Sequence, residues 1–463
     1  MLSKLLIIVL CVSFFCQCSS NISADSELNH AVNKLPKSWA NISAAQKGAS
    51  TDWVKIFGDS ELRSLIKKIW NCSPDLKILS ERIKQAQIIE KATKSSLFPS
   101  LSYAFEASRE KNVILENPFV TSTYSTFQNG VIMDWEIDLW KRIRYGGEKN
   151  RLLTNELILR KQALKLSLSA KVAETWFTIK EKDVQIKLLN EALSYHQGKK
   201  AYLLKVLDAG GEVKFLKAQL RDVTLHIKEV KSQVLAQENA RNREEAKIAQ
   251  LLGDGTYQVA VKSKGLPLLD KHMKVGIPSE VLLKRPDIIA LERRYRASQA
   301  SVKEARAALY PRFSLTGIAG MASNSLKNVI KSDFGVWQLA SGVTMPLLNR
   351  GELKSNVKLK KSESAIELIT LHQSVLSAFR EVNDALVRNN FLLKELKLKQ
   401  QAVDVLEKSF KESESLFDLG KTNLSRRNEY QFKLLDAKSR LEALKLLKIL
   451  NTIDIYLKMG GGN

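Results

Sequence analysis

Ser96-Leu97-Phe98-Pro99-Ser100-Leu101-Ser102 has an echo later in the chain, Ala308-Leu309-Tyr310-Pro311-Arg312-Phe313-Ser314. Both run from a small residue through Leu and an aromatic to a proline, then into an alternation that ends in Ser. The prolines are 311 − 99 = 212 residues apart. Each motif opens a pair of strand-like segments. The first pair ends in Trp135-Glu136-Ile137-Asp138-Leu139-Trp140 and the second in Val343-Thr344-Met345-Pro346-Leu347-Leu348, offset by 343 − 135 = 208. A unit of roughly 200 residues is therefore written twice, and such a repeat places the function in how the copies assemble.

The alternation defines two chemically different faces. Leu101, Tyr103, Phe105 and Ala107 alternate with Ser102, Ala104, Glu106 and Ser108. Val131, Met133, Trp135, Ile137 and Leu139 alternate with Ile132, Asp134, Glu136 and Asp138. In the second copy Phe313, Leu315 and Gly317 alternate with Ser314 and Thr316. There Trp337, Leu339, Val343, Met345 and Leu347 share a face opposite Gln338, Gly342 and Thr344. A soluble sandwich turns such an apolar face inward. A membrane barrel turns it outward to lipid, and the carboxylates Asp134, Glu136 and Asp138 then line a wet lumen.

Behind each strand pair the sequence becomes helical. A first rod runs over about 147–207, turns at Asp208-Ala209-Gly210-Gly211, and returns from about 213 to Leu252. A second covers 352–417, turns at Asp418-Leu419-Gly420, and returns over 424–458. The turns sit 420 − 210 = 210 residues apart. At about 1.5 Å per residue, a 60-residue rod is roughly 90 Å long. Shorter helical patterns over 59–96 and about 287–308 precede the strand pairs.

Four strands per chain cannot close a membrane barrel, whose minimum is about eight, and an open sheet in lipid leaves its edge groups unpaired. A homotrimer supplies twelve strands and twelve rods. The expected fold is mainly α with a transmembrane β part: a trimeric twelve-stranded β-barrel continued by a twelve-helix α-barrel, with an internal two-fold structural repeat. The expected organisation is a signal peptide over 1–17, a leader over 18–58, a first repeat over 59–256, a linker over 257–280, a second repeat over 281–458 and a tail over 459–463.

The composition of the 463-residue chain, 44% hydrophobic and 26% charged, supports a large core rather than disorder. The net charge of +24 comes from 73 basic and 49 acidic residues. The lysines are spread along the helices, as on solvated helix faces; a nucleic-acid surface and a basic face toward anionic lipid are the other readings. The apolar run Leu5 to Phe15 is too short to span a bilayer and reads as a secretory signal. Cys16-Gln17-Cys18-Ser19-Ser20 follows, the pattern of a bacterial lipoprotein with Cys18 acylated, although Gln17 stands where a small residue is usual. An ordinary signal peptide cut nearby is the alternative. With Cys18 acylated, Cys72 has no partner and no disulfide framework is expected.

Several stretches resemble the outer-membrane factor family, the TolC-like exit ducts of Gram-negative bacteria, and in particular its lipoprotein branch serving multidrug and metal efflux. They are Pro278-Ser279-Glu280, Lys284-Arg285-Pro286-Asp287-Ile288, Glu292-Arg293-Arg294 and Ala305-Arg306-Ala307-Ala308-Leu309-Tyr310-Pro311. With them go Trp135 to Trp140, Leu251-Leu252-Gly253, the run from Leu376 to Leu386 and the terminal triple glycine, in order over nearly the whole mature chain. The resemblance implies a homotrimer in outer-membrane lipid whose helical barrel crosses the periplasm. It also implies a periplasmic adaptor (membrane fusion protein) at the tip turns Gly210, Gly211 and Gly420, an inner-membrane transporter as partner, and an iris-like gate. In that family acidic residues about nine positions beyond the tip glycine narrow the pore. Counting from Gly420 gives Glu429, while the acid expected three residues earlier is Arg426. Asp436 shares the face of Glu429 and is a candidate second ring. The plain alternative for Glu429 is an i,i+4 partner of Lys433.

Arg285-Pro286-Asp287 reads as a helix start. There is no GxSxG, P-loop, HExxH or CxxC, and the five histidines (His30, His196, His226, His272 and His372) are far apart in sequence. No enzyme activity, cofactor, metal or nucleic acid is expected. Two alternative readings are the outer-membrane duct of a type I protein secretion system and a soluble periplasmic adaptor with helical hairpins. Acylation of Cys18 predicts that the chain incorporates labelled palmitate; a chain that takes up no label overturns that assignment.

Overall fold

The structure, a computed structural model, describes Pro36, Trp39 and residues 53–114, 120–210, 213–259, 265–269 and 278–461. The signal segment, Cys18, Gly211, His30 and His272 lie outside the described residues. Helices α1 (Ser60–Cys72) and α2 (Pro74–Ser95) lead into strands β1 (Ser100–Ile114) and β2 (Val120–Ile137). Helices α3 (Arg142–Asp208) and α4 (Val213–Leu252) form the first hairpin. The same order recurs: α5 (Pro278–Leu282) and α6 (Pro286–Ala307), β3 (Arg312–Ser323) and β4 (Gly335–Thr344), then α7 (Arg350–Asp418) and α8 (Leu424–Lys458).

Local chemistry sets the boundaries. The helix expected over 59–96 divides at Ser73, because Pro74 lacks the N–H needed to continue a helix but suits a first turn. Asp59 starts α1 by accepting from Glu61 N and Leu62 N at 3.1 and 3.0 Å. Pro286 opens α6. There Asp287 pairs with Arg285 at 2.7 Å, and Arg285 also donates to the Lys458 carbonyl at 3.1 Å, tying α6 to the end of α8. Gly420 ends α7 at φ 67°, a left-handed conformation that costs glycine little. It lets Lys421 N reach back to Leu416 O at 2.8 Å, closing a Schellman turn.

The four strands make one antiparallel sheet in the order β1-β2-β3-β4, so β2 of the first copy pairs with β3 of the second. The register gathers like residues into rows. Tyr103, Val131, Ala319 and Trp337 stand opposite one another, as do Leu101, Met133, Gly317 and Leu339. The neighbouring row on the other face is Ser100, Asp134, Thr316 and Ala340. Within the chain the apolar face is uncovered: Trp337 is 81% exposed and Tyr103 70%. Among the described residues the outer edges of β1 and β4 pair with no strand.

Two strand expectations are corrected. β2 ends at Ile137, so Asp138 is not a lumen residue on a strand. Its oxygens accept from Ile143 N and Arg144 N at 3.0 Å each and cap α3, whose first four N–H groups have no helical partner. β4 ends at Thr344, leaving Met345 and Leu347 beyond the sheet. Pro346 cannot donate to a ladder.

The core lies in the helices. Leu62, Ile66 and Ile69 of α1 pack with Phe177 and Ile179 of α3, Ile248 and Leu252 of α4, and Ile449 and Ile453 of α8. Asp59 also accepts from Trp176 Nε1 at 2.9 Å and pairs with Lys180 at 2.7 Å, fastening α1 to α3. A second cluster joins Ile288 and Tyr295 of α6 to Leu371 and Val375 of α7, and Trp39 stacks on Phe379 of α7 at 5.2 Å. Between α7 and α8 the buried Lys448 donates to Asn389 Oδ1, and burial pushes its ammonium down to about 8. At about 1.5 Å per residue, the 67 residues of α3 and 69 of α7 are each roughly 100 Å long. Among the described residues no helix is long and apolar enough to cross a membrane.

Gly130 and Gly320 face each other across β2 and β3. A Cβ on Gly320 meets Gly130 Cα at 2.5 Å, and one on Gly130 meets the Ala319 carbonyl oxygen at 2.7 Å. Both neighbours are backbone and cannot swing aside. Gly320→Ala is expected to destabilise the sheet by about 1–3 kcal/mol or more, as overpacking does. Gly198→Ala, with nothing within 4 Å of its added methyl, is expected to leave stability unchanged or raised. Thermal unfolding of the two variants checks the contrast.

Candidate functional site

The free ends of the two hairpins are built differently. In the first, α3 ends at Asp208 and Gly210 turns at φ 87°. Leu203, Leu216 and Val223 zip α3 to α4 below it. In the second, Asn423 accepts from Arg426 N at 2.9 Å and starts α8, while Val403, Leu434 and Leu441 hold α7 to α8. The three tip glycines expected from sequence are thus represented by Gly210 and Gly420 in turns, with Gly211 outside the described residues.

Helix α8 carries an exposed charged stripe and a set of packed residues near this end. Arg426, Glu429, Lys433, Asp436 and Arg440 recur at spacings of three and four, which puts them on one helix face, and all five are exposed. Glu429 pairs with Lys433 at 2.5 Å and Asp436 with Arg440 at 3.0 Å. The hydrogen bond and charge of Lys433 hold the Glu429 carboxyl below the usual range and raise the Lys433 ammonium. Both acids singled out in the sequence are therefore matched by i,i+4 cations, and Arg426 is a third cation on the stripe. Three cations against two carboxylates leave the face at +1, so it is not an acidic ring.

Residues flanking this stripe meet α7 and the first hairpin. Arg427 donates to Glu414 Oε1 of α7 at 2.6 Å. Its guanidinium also lies 5.5 Å from the Phe417 ring and 5.6 Å from the Tyr195 ring of α3. Burial lowers the Arg427 pKa, but the Glu414 bond and neighbouring charges outweigh it and raise it, so the cation is secure. One residue on in α3, His196 stacks on Phe432 of α8 at 4.5 Å and on His226 of α4 at 5.4 Å. Further from the tip, Ser439 Oγ donates to Gln185 Oε1 at 2.6 Å, and Gln185 Nε2 donates to the Ser439 carbonyl at 3.0 Å. This seam joins α3 to α8 toward the tip; nearer the sheet the repeats also meet where α3 packs on α6 and Lys149 pairs with Glu304 at 2.8 Å.

Sequence reasoning missed Arg427, Tyr195, His196, His226 and Phe432. The histidines looked dispersed, yet a hairpin folds equal distances from its turn onto each other: 210 − 196 = 14 and 226 − 210 = 16. The same count, 420 − 414 = 6 and 427 − 420 = 7, pairs Glu414 with Arg427. At the other end of the rods, Glu136 is bound by Arg142 at 2.8 Å and Asp134 is exposed on the polar face of β2. Among the described residues no group of three or more His, Cys, Asp or Glu could hold a metal ion.

Residues 277–461 match the family described as outer membrane efflux protein. The cation efflux system protein CusC of Escherichia coli strain K12 is 24% identical over 425 residues, covering 91% of this chain and 91% of its own. The pyoverdine export outer membrane protein OpmQ of Pseudomonas putida is 26% identical over 436 residues, 92% of each chain. Among solved structures the outer-membrane channel OprN superposes with a TM-score of 0.82 at 21% identity, covering 92% of this chain and 98% of its own.

Arg427→Ala removes a charge-assisted bond and two ring contacts. With solvent screening at this half-exposed site allowed for, the loss is expected to be about 1 kcal/mol. Backbone amide exchange over 424–436 should then accelerate roughly fivefold, with the waist of the molecule unchanged.

Proposed function

We propose that this chain is an outer membrane efflux protein, the family whose model matches residues 277–461, and that it works as an exit duct of the outer membrane. Three copies assemble around one axis. β1 of one chain pairs with β4 of the next, which satisfies the open edges and gives a twelve-stranded barrel. Rows such as Tyr103, Val131 and Trp337 face lipid, and Asp134 and Glu136 face the lumen. The four long helices of each chain then enclose a tube reaching roughly 100 Å into the periplasm. The single observation that carries this reading is the uncovered sheet, with one apolar face and two unpaired edges, joined directly to helices far longer than a soluble domain of this size needs.

The duct is passive in this reading, with a periplasmic adaptor seated at the tip turns around Gly210, Gly211 and Gly420 and an inner-membrane transporter supplying the cargo. Relatives named for cation efflux and for pyoverdine export align over 91% and 92% of this chain, so the rods themselves do not dictate the cargo. The organisation into signal, leader and two repeats, with Cys18 as a lipid anchor, belongs to the same proposal.

The gate is the tip of the second hairpin. The stripe of Arg426, Glu429 and Asp436 faces the pore, and the Arg427 seam holds it closed against α3. Opening requires α7 and α8 to move away from the first hairpin. Because the carboxylates of the stripe are matched by cations and its net charge is +1, the constriction is not cation-preferring.

Glu429→Ala leaves Lys433 unpaired and makes each stripe more positive. In planar bilayers the variant is expected to change single-channel conductance and shift selectivity toward anions; an unchanged channel overturns the gate assignment. Recovery of the wild-type chain as a monomer in the soluble periplasmic fraction overturns the duct.

A further inference from the structure

His196 is 7% exposed, and its Nδ1 is buried with no hydrogen-bond partner. It sits where three helices meet: its own α3, α4 through His226, and α8 through Phe432. The two imidazoles are stacked at an interplanar angle of 25° and do not converge on a common point. The arrangement therefore suits ring packing rather than a shared metal.

We propose that His196, stacked between Phe432 and His226, is an acid-sensitive clasp that docks α8 on the first hairpin at neutral pH and releases it when the ring is protonated. The proposal rests on the duct reading for its consequence, the freeing of the gate helix.

The charged groups around His196 determine the sign. On α3 the nearest is Lys199; α4 contributes His226, Asp222 and Glu229; α8 contributes the uncharged Phe432. On α8 itself, Lys433 and Glu429 are taken up by each other and Arg427 by Glu414. Burial pushes the His196 pKa down; His226 and Lys199 push the same way, and Asp222 and Glu229 oppose them. His226 is exposed beside these carboxylates, with Nδ1 3.1 Å from Glu229 and Nε2 3.7 Å from Asp222. Phe432 can stack on an imidazolium as well as on an imidazole, so lost hydration and repulsion between the two rings decide the outcome. Once undocked, His196 titrates near the ordinary value of about 6.5. The docked state thus binds fewer protons, so docking is at full strength above about pH 6.5 and weakens as pH falls below it. The effect is at most roughly tenfold per pH unit between the two titrations.

The test is amide exchange of the full-length protein over 424–436 at pH 7.5 and 5.5, corrected for intrinsic rates. The wild type is expected to lose protection severalfold at pH 5.5, and His196→Asn to show no such change. His226→Gln removes the neighbouring imidazole that pushes the His196 pKa down, and is expected to respond less than the wild type. A wild-type response in His196→Asn overturns the proposal. If that variant does not fold, a response of wild-type size in His226→Gln overturns it. Bilayer conductance of the same samples separates the two claims: a wild type that loses protection at pH 5.5 but forms no pore at any pH supports the clasp and overturns the duct.

Discussion

The backbone hydrogen bonds along the outer edges of β1 and β4 are the constraint on which the rest of the molecule depends. Among the described residues the sheet stops at four strands, and its apolar face is bare. In water such a face would collapse onto another layer. In lipid it is stable only if the edges are closed, since each unpaired group there costs several kcal/mol. In the proposed duct, closure by further copies makes the chain a segment of a tube. That in turn explains why the rods run on directly from the strands: Asp138 caps α3 only five residues ahead of Ile143, and Glu136 at the end of β2 is locked to Arg142 in its first turn. Sheet and helices are continuous parts of one wall.

The two repeats are joined differently along their length. Their waists are welded by a shared apolar core in which α1, α3, α4 and α8 all take part. Toward the tips the contact between α3 and α8 thins to a seam of rings and polar groups at Gln185, Tyr195, His196 and Arg427. Apolar contact over a large area makes a permanent joint; a few charged and aromatic contacts make one that opens at modest cost. The gradient from waist to tip is what a gate hinged at its base requires.

The same helix α8 shows why the site was only partly legible. Its exposed stripe could be read from spacing alone, because residues three and four apart share a face: Arg426, Glu429 and Asp436 lie together, and the expected Glu429–Lys433 pair is present. The packed residues beside it could not, because their meaning depends on what α3 and α7 present to them. Arg427 is adjacent in sequence to Arg426 yet points at Glu414 and Tyr195. Asp138 failed for a related reason. Alternation carried it onto the strand, but its carboxylate is used by the amides of the helix that follows.

The sequence by itself determined the repeat, the alternation of the strands, the rods and their glycine turns, since these depend on local periodicity and on backbone freedom at single residues. It also determined, through the count of strands, that one chain cannot close its own sheet. Only the tertiary structure decided that β2 pairs with β3, that Gly130 opposes Gly320, and that His196 is buried between His226 and Phe432. Those contacts join residues far apart in the chain, and their energies come from the register and burial that packing imposes, which no local pattern encodes.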